Sequence, residues 1–158
     1  MVLLSLRVLP YVTGRVLVQS SMRSVHSIEE TVADALLIFS IYTSLSPSSP
    51  TSRLCVKIPS TWEGLRASRI LERDHDIRTL ATAVFSKHQA AIAWKVGSTY
   101  ISPYLNELRS YSQPDLKDPI RGLEVIKDIW VYYKSVGSKT LLKPARYFVW
   151  RYISQTWV

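Results

Sequence analysis

At 158 residues, with 47% apolar and 20% charged residues, the chain has the size and composition of a single globular domain with a sizeable core, which excludes disorder along its whole length. Its formal charge of +8 suggests an anionic partner, whether a phosphorylated metabolite, nucleic acid or an anionic membrane surface; Lys and Arg are scattered without a run of four, which favours a solvated basic surface over a polybasic nucleic-acid arm. One cysteine, Cys55, rules out an internal disulfide framework, and with only three His the composition argues against a structural zinc site, so no metal or cofactor is expected and a reducing, cytoplasmic location fits.

The first 25 residues hold Arg7, Arg15 and Arg23, with no acid before Glu29, a composition shared with mitochondrial transit peptides. Arg7 to Val16 also reads as the rim of a strand, which is the preferred reading, and Met1 to Pro10 is too short to span a membrane; no membrane partner is expected. Ser27-Ile-Glu-Glu30 is a capping box, followed by apolar residues at Ile28, Val32, Ala35, Leu36, Phe39 and Tyr42, the spacing of one face of a helix of about four turns. Thr43 to Ser52, rich in Ser and Pro, reads as a surface loop. Leu54 to Ile58 is a β-branched strand, and Ser60-Thr-Trp-Glu63 a second capping box that opens a helix carrying Leu65, Ala67, Ile70 and Leu71 to about Arg73. A strand over Thr79 to Phe85 follows, then a helix capped by Ser86, running through Trp94 and Val96 and ended by Gly97, and a strand over Thr99 to Ile101. After the polar stretch Asn106 to Asp118, Pro119 starts a helix with Leu123, Ile126, Ile129, Trp130 and Tyr133 on one face, Gly137 stops it, and Thr140 to Leu142 is a last strand.

Regular alternation of short strands and helices implies a mainly parallel α/β sheet under helical cover. Neither G-x-G-x-x-G nor G-x-x-x-x-G-K occurs, so a nucleotide-binding sheet lacks its phosphate loop and a barrel is favoured.

Lys57 is the most informative residue. It stands near the end of a strand that turns at once into a capped helix, with apolar Val56 and Ile58 beside it. Partial desolvation there would lower its pKa toward the neutral, nucleophilic amine that forms a Schiff base with a ketone. Without further context, a strand-end lysine also reads as one that snorkels to solvent. Cys55 shares the face of Lys57 by the two-residue period, and is expected to pack inside the barrel. The aromatic residues of Trp130 to Tyr133 and Tyr147 to Trp157 read as core or interface rather than as stacking platforms for bases.

The run Val56-Lys-Ile-Pro-Ser-Thr-Trp-Glu-Gly64, followed by Leu65-Arg-Ala67, resembles the active-site segment of the transaldolase family. The likeness continues through Val84-Phe-Ser86 with Gln89-Ala90, through Val96-Gly-Ser-Thr-Tyr-Ile-Ser-Pro-Tyr104, and through Tyr132 to Thr140, and reaches back through Gly14-Arg-Val16 to Glu29. It covers about residues 8 to 145 of a domain spanning residues 1–158. The resemblance implies a (β/α)8 barrel, incomplete here, matched from its third strand to its seventh. Family members are on the order of 250 residues or more. It also implies a class I aldolase mechanism without a cofactor. Lys57 attacks the ketone of a ketose phosphate, sedoheptulose 7-phosphate or fructose 6-phosphate, and a dihydroxyacetone unit passes to an aldose phosphate, in the pentose phosphate pathway or a specialised biosynthetic one.

By the same resemblance, Thr82 matches the threonine that holds the catalytic water, although the asparagine expected two positions earlier is Leu80. Ser102 matches the serine that contacts the bound dihydroxyacetone unit, and the family's catalytic glutamate falls on Gln19, which cannot ionise. Strands one, two and eight have no counterpart, so the family's acid/base aspartate and its substrate-binding asparagine are unmatched. The Ser and Arg that relatives carry after the seventh strand are not reproduced; Arg146 stands one position short, and Arg109 lies near the basic position of the sixth loop. Phosphate contacts by Arg109 and Arg146 follow from charge and proximity alone. A second expectation, of another class, is a catalytically degenerate relative acting as an accessory protein. An incomplete barrel leaves two open sheet edges, which favour pairing with another chain, and a homo-oligomer that closes the barrel is one form of it.

Overall fold

The computed structural model describes residues 1–105 and 119–145. Five strands, β1 (Val16–Gln19), β2 (Leu54–Pro59), β3 (Arg78–Val84), β4 (Tyr100–Pro103) and β5 (Leu141–Leu142), form one sheet in the order of the chain, and every pairing is parallel. Helices α1 (Val2–Val8), α2 (Ile28–Leu45), α3 (Trp62–Asp74), α4 (Lys87–Lys95) and α5 (Pro119–Ser135) precede, link and cover these strands. Parallel neighbours in sequential order, joined by helices, are the repeating unit of a (β/α)8 barrel, here five strands of it.

Side-chain alternation divides the sheet into two faces. Val16, Val18, Leu54, Val56 and Ile58 pack with Ala35, Ile38, Tyr42, Leu71 and Ile77 beneath α2 and α3. Ala81, Val84 and Ile101 pack with Leu65, Ala90, Ala93, Ile129 and Tyr133 beneath α3, α4 and α5. The alternate residues line the other, concave face. Arg15, just before β1, donates from Nη1 to Tyr100 Oη of β4 at 2.9 Å, with its guanidinium 5.8 Å from the ring. On a flat sheet β1 and β4 lie about 14 Å apart, three spacings. A contact across that distance requires the sheet to curl toward its concave side.

The N-terminal segment differs from its sequence reading. Of Arg7 to Val16, read as a strand rim, Arg7 and Val8 close helix α1 (Val2–Val8), Leu9–Tyr11 is a 3-10 turn with Pro10 in it, and the strand begins only at Val16. Apolar Val2 and Leu6 in helical spacing pack on the core, and burial of that face outweighs the β-branched character of the segment. Helix α2 starts where expected, with Ser27 Oγ accepting the Glu30 N–H at 3.2 Å, but it runs on to Leu45, and Thr51–Arg53 forms a further 3-10 turn. The cap of α3 is Thr61, one residue later than the capping-box reading: its Oγ1 accepts the Gly64 N–H at 3.0 Å. Ser60 is diverted, donating its hydroxyl to the Thr82 carbonyl at 2.7 Å across the strand ends. A Cβ at Gly64 would overlap the Pro59 carbonyl, so only glycine lets α3 begin so close to β2. On α5, Ile126, Ile129 and Tyr133 are buried as expected, whereas Trp130 is 44% exposed and lies under the Lys134 ammonium at 5.6 Å.

Beneath the sheet, the Glu72 carboxylate of α3 ties two strand starts together. Its Oε1 accepts the Thr79 N–H at 2.7 Å, the Thr99 N–H at 2.8 Å and both threonine hydroxyls at 2.9 Å, and Arg78 Nη1 lies 3.3 Å from Oε2. These bonds hold β3 and the entry to β4 at one height, which sets the level of the residues at their opposite ends.

Candidate active site

The polar side chains singled out in the sequence meet at the C-terminal ends of the strands. Lys57 lies in a rung with Gln19, Leu80 and Tyr100, and the next rung toward the rim holds Pro59, Thr82 and Ser102. All belong to the concave face. Lys57 is half-buried, while Val56 and Ile58, its chain neighbours, are buried on the opposite face in the helix-covered core. The apolar groups on the face of Lys57 are therefore Leu80 and Cys55, not Val56 and Ile58, a correction that follows from the pleat.

The backbone of Lys57 is held rigidly. Its carbonyl accepts the Ser20 N–H at 2.9 Å, the Ser20 hydroxyl at 3.2 Å and the Gln19 side-chain amide, from Nε2, at 2.9 Å. Gln19 lies in the rung of Lys57, and its amide serves as a clamp between β1 and β2. A carboxylate in its place would be acceptor-only and could not make this bond to a carbonyl.

Thr82 and Ser102 are each 4% exposed. Thr82 faces the concave side by alternation from Leu80, and a β-bulge follows it: the pairing slips between Thr82 and Val84, and Ala83 takes φ of 56°, a left-handed value uncommon for a residue with a Cβ. The bulge returns Val84 to the core. Tyr104, for which the sequence reading gave no role, places its hydroxyl 3.5 Å from Thr82 Oγ1 and its ring edge-on to Phe85, with centroids 5.2 Å apart. Two-residue parity with Ser102 was the available signal. Gln89 supports this rim from α4, accepting the Phe85 N–H at 2.9 Å and donating to the Ser60 carbonyl at 3.3 Å.

Cys55, one rung below Lys57, is fully buried, and burial, helped by the Glu72 charge, pushes its thiol up to about 12. The thiol is a packing group at neutral pH. Among the described residues no cluster of three or more His, Cys, Asp or Glu could hold a metal ion, and no helix is long and apolar enough to cross a membrane. Arg109 and Arg146 lie outside the described residues, as do the segments Asn106 to Asp118 and Tyr147 to Trp157.

Five sequential parallel strands under helical cover, with their polar residues collected at the C-terminal rim, define a partial (β/α)8 barrel. The model of the transaldolase/fructose-6-phosphate aldolase family matches residues 2–157, and the chain belongs to that family. It is 32% identical over 154 residues to a probable transaldolase of Drosophila melanogaster, covering 92% of this chain and 45% of the relative. Over 147 residues it is 32% identical to a transaldolase of Gibberella intermedia, covering 89% and 44%, and over 154 residues 30% identical to that of Sus scrofa, covering 92% and 44%. The chain thus spans a little under half the length of the curated relatives it matches.

Proposed function

We propose that the chain performs transaldolase-type chemistry: transfer of a dihydroxyacetone unit from a ketose phosphate to an aldose phosphate through a Schiff base on Lys57. The observation that carries this reading is the half-buried Lys57 on the concave face, one rung below Thr82 and Ser102. Lys57 Nζ adds to the ketone carbon and water leaves, giving a protonated imine. That imine accepts the electron pair released when the bond between the third and fourth carbons breaks, while the proton of the fourth-carbon hydroxyl departs. An aldose phosphate leaves, and the enamine on Lys57 attacks the carbonyl of a different incoming aldose phosphate; hydrolysis then frees the ketose phosphate product and the amine. Ser102 is suited to hold the dihydroxyacetone hydroxyls and Thr82 a water, and the Tyr104 hydroxyl beside Thr82 supplies a group able to carry the proton. Sedoheptulose 7-phosphate and fructose 6-phosphate are the proposed donors, in central or specialised carbohydrate metabolism.

Borohydride reduction in the presence of fructose 6-phosphate tests the imine. A stable adduct located on Lys57 by mass spectrometry, and lost in Lys57→Ala, is the expected result; the absence of an adduct in the parent protein rejects the mechanism.

One observation favours a second reading, a non-catalytic accessory role. At the position of the family's glutamate, the Gln19 amide is engaged with a backbone carbonyl, and none of the five strands contains Asp or Glu. In that reading a second copy pairs along β5, where Leu141 and Trp130 are exposed. Sedimentation equilibrium showing a concentration-independent monomer would remove it.

A further inference from the structure

Ala83 is held in a conformation that a residue with a Cβ does not adopt unaided. Its φ of 56° is left-handed; among the described residues other than glycine only Asp76 shares such a value, and aspartate tolerates it through its short polar side chain. Backbone strain of this kind persists only where the surroundings over-determine it. The group that does so is Gln89, in the first turn of α4. Its Nε2 donates to the Ala83 carbonyl at 3.4 Å and to the Ser60 carbonyl at 3.3 Å, and its Oε1 accepts the Phe85 N–H at 2.9 Å. A capping-box glutamine ordinarily returns to the N–H of its own N-cap residue. Ser86 is that residue, its Oγ accepting the Gln89 N–H at 3.2 Å, yet the Gln89 amide reaches further back and spans the bulge.

The bulge decides which side chain lies against Tyr104. Thr82 stands opposite Ser102, so unbroken pairing would set Val84 opposite Tyr104 on the concave face. The extra residue sets Val84 opposite Pro103 instead, with its carbonyl accepting the Tyr104 N–H at 3.0 Å, and brings the Phe85 ring edge-on to Tyr104. Tyr104 is thereby braced by Phe85, with its hydroxyl beside Thr82 Oγ1. Gln89 also joins the rims of two strands. Ser60, whose carbonyl it binds, directly follows β2, the strand of Lys57, and donates its N–H at 2.8 Å and its hydroxyl at 2.7 Å to the Thr82 carbonyl.

We propose that Gln89 is the positioning residue for the Tyr104 hydroxyl: its amide holds the left-handed bulge at Ala83, and the bulge holds Phe85 against Tyr104 beside Thr82. The consequence for chemistry rests on the Lys57 reading above. There the Tyr104 hydroxyl serves the step in which the fourth-carbon hydroxyl loses its proton and the carbon–carbon bond breaks, after the amine has added to the ketone.

Gln89→Met keeps the length of the side chain and removes its hydrogen bonds. The double variant Gln89→Met with Ala83→Gly lets the bulge keep its shape without them, because glycine takes positive φ with no Cβ penalty. Two measurements read the result. One is the nuclear Overhauser contact between the Phe85 and Tyr104 rings. The other, with fructose 6-phosphate, is the borohydride adduct on Lys57 together with the rate of glyceraldehyde 3-phosphate release in the first turnover. Gln89→Met should lose the ring contact and slow the release about tenfold to a hundredfold, with the adduct yield and the half-saturating fructose 6-phosphate concentration unchanged. The double variant should regain the ring contact and most of the rate. A residue that merely packs α4 would not be rescued in this way, since a glycine at position 83 adds nothing to that packing. Should Gln89→Met not fold, Gln89→Glu, which keeps the Phe85 acceptor but cannot donate to either carbonyl when ionised, carries the same expectations. An unchanged ring contact or release rate without the Gln89 amide, or a loss that the glycine does not restore, would overturn the proposal. A parent whose ring contact follows Gln89 and Ala83 as described, but which yields no borohydride adduct, would instead sink the imine reading and leave the Gln89 clamp standing.

Discussion

Glu72 offers a stringent test of how the partial barrel is held, because one carboxylate serves two strand starts. Its side chain is 6% exposed, and Thr79 is fully buried. Glu72→Ala would leave the Thr79 and Thr99 backbone N–H groups without an acceptor, along with both hydroxyls, and create a cavity where the carboxylate sat. Each buried donor left unsatisfied costs about 1–3 kcal/mol, so the two N–H groups alone predict about 2–5 kcal/mol once partial access of water to Thr99 is allowed for. The Arg78 pairing adds little, because that guanidinium is 37% exposed. Glu72→Gln keeps one carbonyl oxygen for the two N–H groups and loses the charge, for an expected cost of about 1–2 kcal/mol. Urea unfolding with linear extrapolation measures both, and an unchanged m-value would show that the native fold is the one being destabilised. A loss of that size is a large part of the total stability of a domain, about 5–15 kcal/mol. If Glu72→Ala costs less than about 1 kcal/mol, the carboxylate is not the tie described.

Two further outcomes follow from the same geometry. Burial raises the Cys55 thiol from its ordinary 9.0 to about 12, so above pH 9 the unfolded chain loses this proton while the folded chain keeps it. The folded state then binds more protons, and its stability relative to Cys55→Ala should fall by about 1.4 kcal/mol per pH unit from pH 9 toward 12, read from paired urea titrations; a flat difference rejects the buried thiol. Gly64→Ala should destabilise by about 1–3 kcal/mol, since the added methyl meets the Pro59 carbonyl and displaces the start of α3, although alanine is the better helix former. A raised melting temperature in that variant would contradict the close approach.

Much of the architecture was legible in the sequence, because the signals concerned are local. Ser27 and Ser86 cap the helices they were expected to cap, Gly97 and Gly137 take positive φ at helix ends, and β-branched runs gave β2 and β3 within a residue or so. Errors arose where two local signals competed and a distant partner decided between them. Ser60 and Thr61 are both fit to cap α3, and the Thr82 carbonyl across the sheet draws Ser60 away. Trp130 satisfies the helical period yet faces out, because the buried arc of α5 is already filled by Ile126, Ile129 and Tyr133.

The candidate site divides in the same way. The motif around Lys57, the hydroxyls of Thr82 and Ser102 and the missing carboxylate at Gln19 are properties of residue identity and spacing, and the sequence alone determined them, together with the alternation of strand and helix that implies a parallel barrel sheet. Only the tertiary structure decided which groups surround them. Parallel register set Lys57 beside Leu80 instead of Val56 and brought Thr82 within reach of Tyr104, and the curl of the sheet carried Lys143 toward β1. The physical reason is separation along the chain: a strand's pleat repeats every two residues and is read locally, whereas which strand lies opposite, and how far the sheet curls, depend on contacts between residues tens of positions apart.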